Sequence, residues 1–176
     1  MRFVPLSLPG PCLVETEPFA DERGAFARLW CRRAFAAAGL DADFVQANAS
    51  FNPVAGTLRG LHWQAPPHGE AKLVRCVRGR IHDIVVDVRP DSPGFGRWAA
   101  VTLEAADGRS LYVPEGFAHG FQTLIDDVEV DYQVSAFYAP AAARGVRWDD
   151  PALAIAWPMP PTRISVADRS WPALAR

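Results

Sequence analysis

Long apolar stretches are missing from this 176-residue sequence. No run approaches the ~18 residues that a membrane-crossing helix needs, so no membrane span is expected. The N-terminus, Met1-Arg2-Phe3-Val4-Pro5, lacks the apolar core of a signal peptide, which makes the cytoplasm the expected compartment. Cysteine is scarce. Cys12, Cys31 and Cys76 are odd in number, show no Cys-x-x-Cys spacing and read as reduced thiols. An excess of one charge is absent too: 18 Lys+Arg stand against 20 Asp+Glu along the whole chain. That balance argues against a nucleic-acid or membrane-surface binder, either of which needs a basic patch. No repeat, low-complexity tract or linker interrupts the chain, so residues 1–176 are expected to form one domain.

What is present points to β structure. Apolar residues make up 49% of the chain and charged residues 22%, a globular balance. With 16 Pro and 13 Gly the chain is broken into short segments. Residues 1–20 are Pro-punctuated and extended, and Asp21-Glu22-Arg23-Gly24 is turn chemistry. One helix is expected over residues 29–38, rich in Ala, Arg and Leu, with Gly39 as its stop. Residues 72–77 and 81–88 read as two strands joined by a turn at Arg78-Gly79-Arg80, forming a hairpin. In the second of these, Ile84, Val86 and Val88 share one face with His82, while Asp83 and Asp87 share the other with Ile81 and Val85. Further strands are expected near residues 98–103, 110–113, 120–124 and 129–137. Pro90, Pro93, Pro114 and Pro140 fall at strand ends, where a missing N–H costs no ladder bond. The pattern predicts an all-β domain, a jelly roll or small barrel.

Reactive side chains concentrate in four places. Leu58-Arg59-Gly60-Leu61-His62-Trp63-Gln64 sets Arg59, His62 and Gln64 beside a glycine; alone, His62 reads as a hydrogen-bonded core imidazole. Lys72 shares strand parity with Val74 and Cys76, so a buried Lys72 would have to face a pocket. Pro114-Glu115-Gly116-Phe117-Ala118-His119-Gly120-Phe121 combines a turn with two aromatics and a histidine. Tyr132 and Tyr138 have the same parity and would line one face of a strand.

The segments around His62 and His119 resemble the two motifs of the cupin family. More closely, the chain resembles the dTDP-4-dehydrorhamnose 3,5-epimerases. The resembling segments include Phe19-Ala20-Asp21-Glu22-Arg23-Gly24, Gln46-Ala47-Asn48, Lys72-Leu73-Val74-Arg75, Ser92-Pro93-Gly94-Phe95-Gly96, Tyr132 with Tyr138-Ala139-Pro140, Trp148-Asp149-Asp150-Pro151, and Ile164-Ser165 with Asp168. They keep the family's order and spacing. The resemblance implies a cupin-type jelly roll (a double-stranded β-helix) with a short helix near the N-terminus and an irregular C-terminal segment. It further implies inversion at carbon 3, carbon 5 or both of a nucleotide-diphosphate-linked 4-keto-6-deoxy sugar, thymidine-linked being favoured. Neither cofactor nor metal is implied, and the implied assembly is a homodimer with exchanged N-terminal strands.

Such a reaction needs a base on one ring face, stabilisation of the enolate and an acid on the other face. By resemblance His62 is the base, Asp168 its partner carboxylate, Lys72 the cation near the oxyanion and Tyr132 the acid. Arg23 and Arg59 match the diphosphate contacts. Phe19, Phe26, Gln46, Asn48 and Tyr138 match sugar and base contacts, and Asp83 and His119 supporting residues. Arg28, Ala47, Ala49 and Ala167 depart from the family pattern, which leaves the nucleotide open. Three alternatives remain at this level: a metal-dependent cupin oxygenase or isomerase drawing on His68, Glu70 and His119, a single-centre epimerase of a non-thymidine sugar, and a non-catalytic sugar-binding cupin.

Overall fold

Strand after strand of this chain is short and bounded by Pro or Gly, and the chain folds back on itself at each boundary. The structure, a computed structural model, describes residues 1–41 and 43–175. Its first strands are β1 (Arg2–Pro5), β2 (Cys12–Glu15), β3 (Phe19–Asp21), β4 (Gly24–Phe26), β5 (Gln46–Asn52), β6 (Thr57–Gln64) and β7 (Lys72–Arg78). The remainder are β8 (Arg80–Asp87), β9 (Trp98–Glu104), β10 (Ser110–Val113), β11 (Phe117–Thr123), β12 (Val128–Val134), β13 (Ala143–Gly145) and β14 (Arg163–Ile164). Two short α-helices, α1 (Arg32–Ala37) and α2 (Val166–Ser170), and two single 3-10 turns at Ala105–Asp107 and Pro140–Ala142 complete the described elements.

Two six-stranded sheets face each other. The first runs β1-β2-β10-β7-β12-β5; the second runs β13-β6-β11-β8-β9, with β14 added parallel to β6. From β6 to β8 and from β9 to β12 successive strands change sheets, the winding of a jelly roll. Between the sheets lies an apolar core of Val74, Cys76, Leu111 and Val130 from one side against Ile81, Val85, Leu103 and Phe121 from the other. The outer face of the second sheet is also dry, because Ile84 and Val86 are covered by Val146, Leu153 and Trp157 of the C-terminal segment. That arrangement explains why β8 is buried along most of its length. Its strand parity is as expected, but neither face meets solvent.

Three sequence expectations change. The strands over residues 72–88 do not form a hairpin. β7 pairs with β10 and β12, β8 pairs with β11 and β9, and Gly79 (φ +81°) turns the chain from one sheet to the other. Both strands put apolar side chains into the same core, β7 from one sheet and β8 from the other. The helix begins at Arg32 rather than residue 29, because Trp30 packs on Phe44 and Cys31 is extended. Its end is as expected: Gly39 (φ +72°) donates to Ala36 O and Leu40 N to Phe35 O, which closes the helix in a Schellman motif. Residues 1–20 are extended as expected: β1 and β2 pair with each other and β2 with β10, packed through Phe3 and Val14 near Phe35. Strand β12 stops at Val134, so Tyr138 lies in the following loop and not on the strand.

Candidate active site

The second sheet supplies the imidazoles. His62 on β6 and His119 on β11 are directly opposed in register. Nε2 of His62 lies 2.5 Å from Oδ1 of Asp168, which α2 delivers 106 residues later. Ser165 caps that helix by accepting the Asp168 amide at 3.0 Å, so the serine that starts the helix also sets the carboxylate's place. Burial alone would raise the Asp168 carboxyl. The hydrogen bond and charge of His62, with help from Ser165 and the Gly60 amide, outweigh burial and hold it below the usual carboxylate range. The His62 side chain stays 41% exposed while Asp168 is 7% exposed, so a ligand can reach the imidazole but not its partner.

Facing them, the first sheet supplies Lys72 from β7 and Tyr132 from β12. Lys72 is 9% exposed and its Nζ lies 3.1 Å from Glu70 Oε1. It is the only lysine in the chain; every other basic position is arginine. An ammonium is the more compact point charge of the two. Tyr132 is held above the ordinary phenol range, chiefly by burial and further by the Glu70 charge, with Arg59 acting in the opposite sense. It therefore carries its proton at neutral pH.

These groups open on one cavity of about 850 Å³, which His62, His119, Lys72, Tyr132, Arg59 and Asp168 line together. A side lobe of about 440 Å³ carries Gln46, Asn48, Glu70 and Tyr138. His62, Lys72, Tyr132 and Trp171 line both spaces, so they mark the junction. Gln46 donates to Asn48 across its own strand at 2.7 Å, and Arg59 Nε donates to Asn52 at 2.8 Å.

Two groups of expected residues sit elsewhere. Asp83 does not touch the cavity: it is fully buried behind His119, with Oδ1 2.5 Å from Nε2, and acts through that histidine. Phe19, Arg23 and Phe26 lie on the β3–β4 hairpin, which pairs with no other described strand. Its two phenylalanines are 70% and 75% exposed, and Arg23 is paired to Asp21 in solvent. Sequence reading missed Arg163 and Trp171, which line the main cavity. Both come from the irregular C-terminal segment, where no periodicity marks which side chains turn inward. The metal reading is not favoured. Gln64 occupies the place a second imidazole would need, and its amide is committed to His68 O, Glu70, Phe137 O and the Ala139 amide. Among the described residues no three His, Cys, Asp or Glu side chains are gathered in a metal-ligating arrangement.

Two facing, mainly antiparallel sheets with an acid–base cavity between them define a jelly-roll enzyme of the cupin type. The family model described as dTDP-4-dehydrorhamnose 3,5-epimerase matches residues 5–176, and the chain belongs to that family. It is 42% identical over 175 residues to the dTDP-4-dehydrorhamnose 3,5-epimerase of Sinorhizobium fredii, covering 99% of this chain and 90% of that one. The crystal structure of the Bacillus anthracis dTDP-4-dehydrorhamnose 3,5-epimerase with TDP and PPi bound superposes with a TM-score of 0.94 at 39% identity, over 98% and 99% of the two chains. The structure of ChmJ, a 3'-monoepimerase from Streptomyces bikiniensis in complex with dTDP-quinovose, matches at 0.89 and 38% identity over 97% and 87%. Members of this family are isomerases that act without a cofactor.

Proposed function

We propose that this chain inverts carbon 3, carbon 5 or both of a thymidine-diphosphate-linked 4-keto-6-deoxy sugar. The observation that carries the reading is the convergence on one cavity of an Asp-paired imidazole from one sheet and a protonated phenol with an ammonium from the other. Protons on carbons flanking a ketone are acidified, but an unassisted sugar ketone loses them slowly. His62 takes such a proton, and histidine is the side chain most often used as a general base. Asp168 fixes the ring and stabilises the imidazolium. The electron pair left on carbon moves to the ketone oxygen, where the Lys72 ammonium stabilises the enolate. Tyr132 returns a proton to the opposite face, and the centre is inverted. His62 then releases its proton and Tyr132 regains one from solvent. No electron is lost or gained, so the chemistry calls for no redox partner.

Arg59 is assigned to the diphosphate, a charge that a guanidinium meets in bidentate fashion, and Arg163 lines the same cavity. Gln46, Asn48 and Tyr138 in the side lobe are assigned to sugar and base. Phe19, Arg23 and Phe26 do not line their own chain's cavity. We assign them to the cavity of a second copy in a homodimer, a reading supported by the unpaired hairpin and its exposed phenylalanines. Unpaired cysteines at 12, 31 and 76 and a nucleotide-linked substrate support a cytoplasmic location.

The test is solvent exchange. In deuterated water, NMR of thymidine-, cytidine- and guanosine-linked 4-keto-6-deoxy sugars should show enzyme-dependent label at one or both carbons beside the ketone, fastest with the thymidine-linked sugar. Label at one carbon identifies a single-centre enzyme. No label in any of the three would overturn the assignment and favour a sugar-binding protein.

A further inference from the structure

Glu70 has no part in the reaction just described, yet it is built into the site. It lies in the turn between β6 and β7. His68 of that turn is exposed, but the Glu70 side chain is 11% exposed and turns inward. One carboxylate oxygen lies 3.1 Å from the Lys72 ammonium, and Gln64 Nε2 donates to the other at 3.3 Å. Gln64 is 3% exposed and also ties His68 O, Phe137 O and the Ala139 amide, so the carboxylate rests on a fixed support. Glu70 and Tyr132 line the same lobe.

We propose that Glu70 is a positioning residue for epimerisation: its carboxylate fixes the Lys72 ammonium at the junction of the two lobes and sets a negative charge beside the Tyr132 phenol. The inference rests on the assignment of Lys72 to the oxyanion and Tyr132 to the acid. A buried ammonium without a counter-charge is disfavoured in its charged form. A lysine side chain is also flexible, and an oxyanion donor misplaced by an ångström can lose about 10²-fold in rate. A neighbouring carboxylate answers both needs. Its charge further opposes formation of the Tyr132 phenolate. The other charged or titratable groups lining the two spaces are Lys72 from β7, Arg59 and His62 from β6, His119 from β11, Tyr138 from the loop after β12, Arg144 from β13, Arg163 from β14 and Asp168 from α2. Of these Arg59 favours the phenolate, and Glu70 acts against it.

Glu70→Gln keeps the shape and the Gln64 contact while removing the charge. The expected result is a kcat about tenfold to a hundredfold lower with KM less affected, and an alkaline limb of the kcat–pH profile moved to lower pH. In a Lys72→Ala background the same change should lower kcat little further, because Glu70 acts on turnover through Lys72. Retained affinity for thymidine diphosphate checks that each variant is folded. A wild-type kcat, an alkaline limb that does not move, or fully additive losses in the double variant would each overturn the inference. Failure of the wild-type enzyme to exchange protons at all would instead overturn the functional assignment on which it rests.

Discussion

At the scale of single residues the site divides its labour between two sheets. His62→Ala should abolish deuterium incorporation at both carbons, since no other accessible imidazole in the cavity has Asp168 as its partner. Tyr132→Phe should still exchange the proton that His62 removes but fail to invert, a result NMR distinguishes by label without change of configuration. Lys72→Ala should lower kcat by about 10²- to 10³-fold, the usual loss for one preorganised oxyanion donor, with a smaller effect on KM. The identities of these residues were legible in the sequence through their resemblance to a family; their company was not. Glu70 and Arg163 stand in a turn and a tail without periodicity, and only coordinates place them beside Lys72 and Arg59.

At the scale of elements, β6 carries a feature that strand alternation hides. Arg59 and His62 are three apart and would point to opposite faces of a regular strand, yet both line the cavity. The pairing shows why. His119 opposes His62 and Phe121 opposes Arg59, leaving two residues of β6 opposite one of β11, a β-bulge next to the site. The bulge depends on Gly60, which sits at φ +126° and where a Cβ would come 2.5 Å from Gly120 Cα. Gly60→Ala should therefore cost about 2 kcal/mol or more. Calorimetry should show a melting midpoint lower by about 4–8 °C, with exchange activity reduced as His62 loses its register. An unchanged midpoint would mean that the two strands can separate freely there. The α1 helix makes a complementary point. Six residues without a side-chain cap cannot hold a helix alone, and fully buried Phe35 anchors it to the outer face of the first sheet.

For the whole molecule, pH should act on stability in two stages. His82 lies on the outer face of β8 near Trp157, its Nε2 buried without a hydrogen-bond partner among the described residues, and burial holds it below the ordinary histidine range. Its charged form is thus disfavoured in the folded state, and stability should begin to fall as pH drops below about 6.5. Asp87 and Asp168 are held low against the opposing effect of burial, Asp87 by Arg89 and Ser92 and Asp168 chiefly by His62. Their contribution is complete above about pH 4 and is lost as pH falls through their depressed values. Calorimetry from pH 8 to pH 3 should show a shallow decline followed by a steep one, and His82→Leu should remove only the first. Assembly has its own test. If the partner subunit's Arg23 completes each cavity, co-expressing inactive Arg23→Ala and His62→Ala chains should restore about a quarter of wild-type activity through mixed dimers. No restoration would mean that each chain is self-sufficient or that Arg23 lies outside the site.

Resemblance to a family named the side chains that could do chemistry. Composition, the spacing of Pro and Gly, and short-range alternation were enough to determine a β-rich chain and the strands β7 to β12 to within a few residues. These are local properties, governed by backbone allowance and by the two-residue repeat of a strand. Which sheet each strand joined was decided only in three dimensions, because a turn such as the one at Gly79 suits a hairpin and a sheet-to-sheet corner equally well. Burial of both faces of β8, the bulge that turns Arg59 and His62 the same way, and the meeting of Asp168 with His62 across 106 residues all follow from that long-range choice.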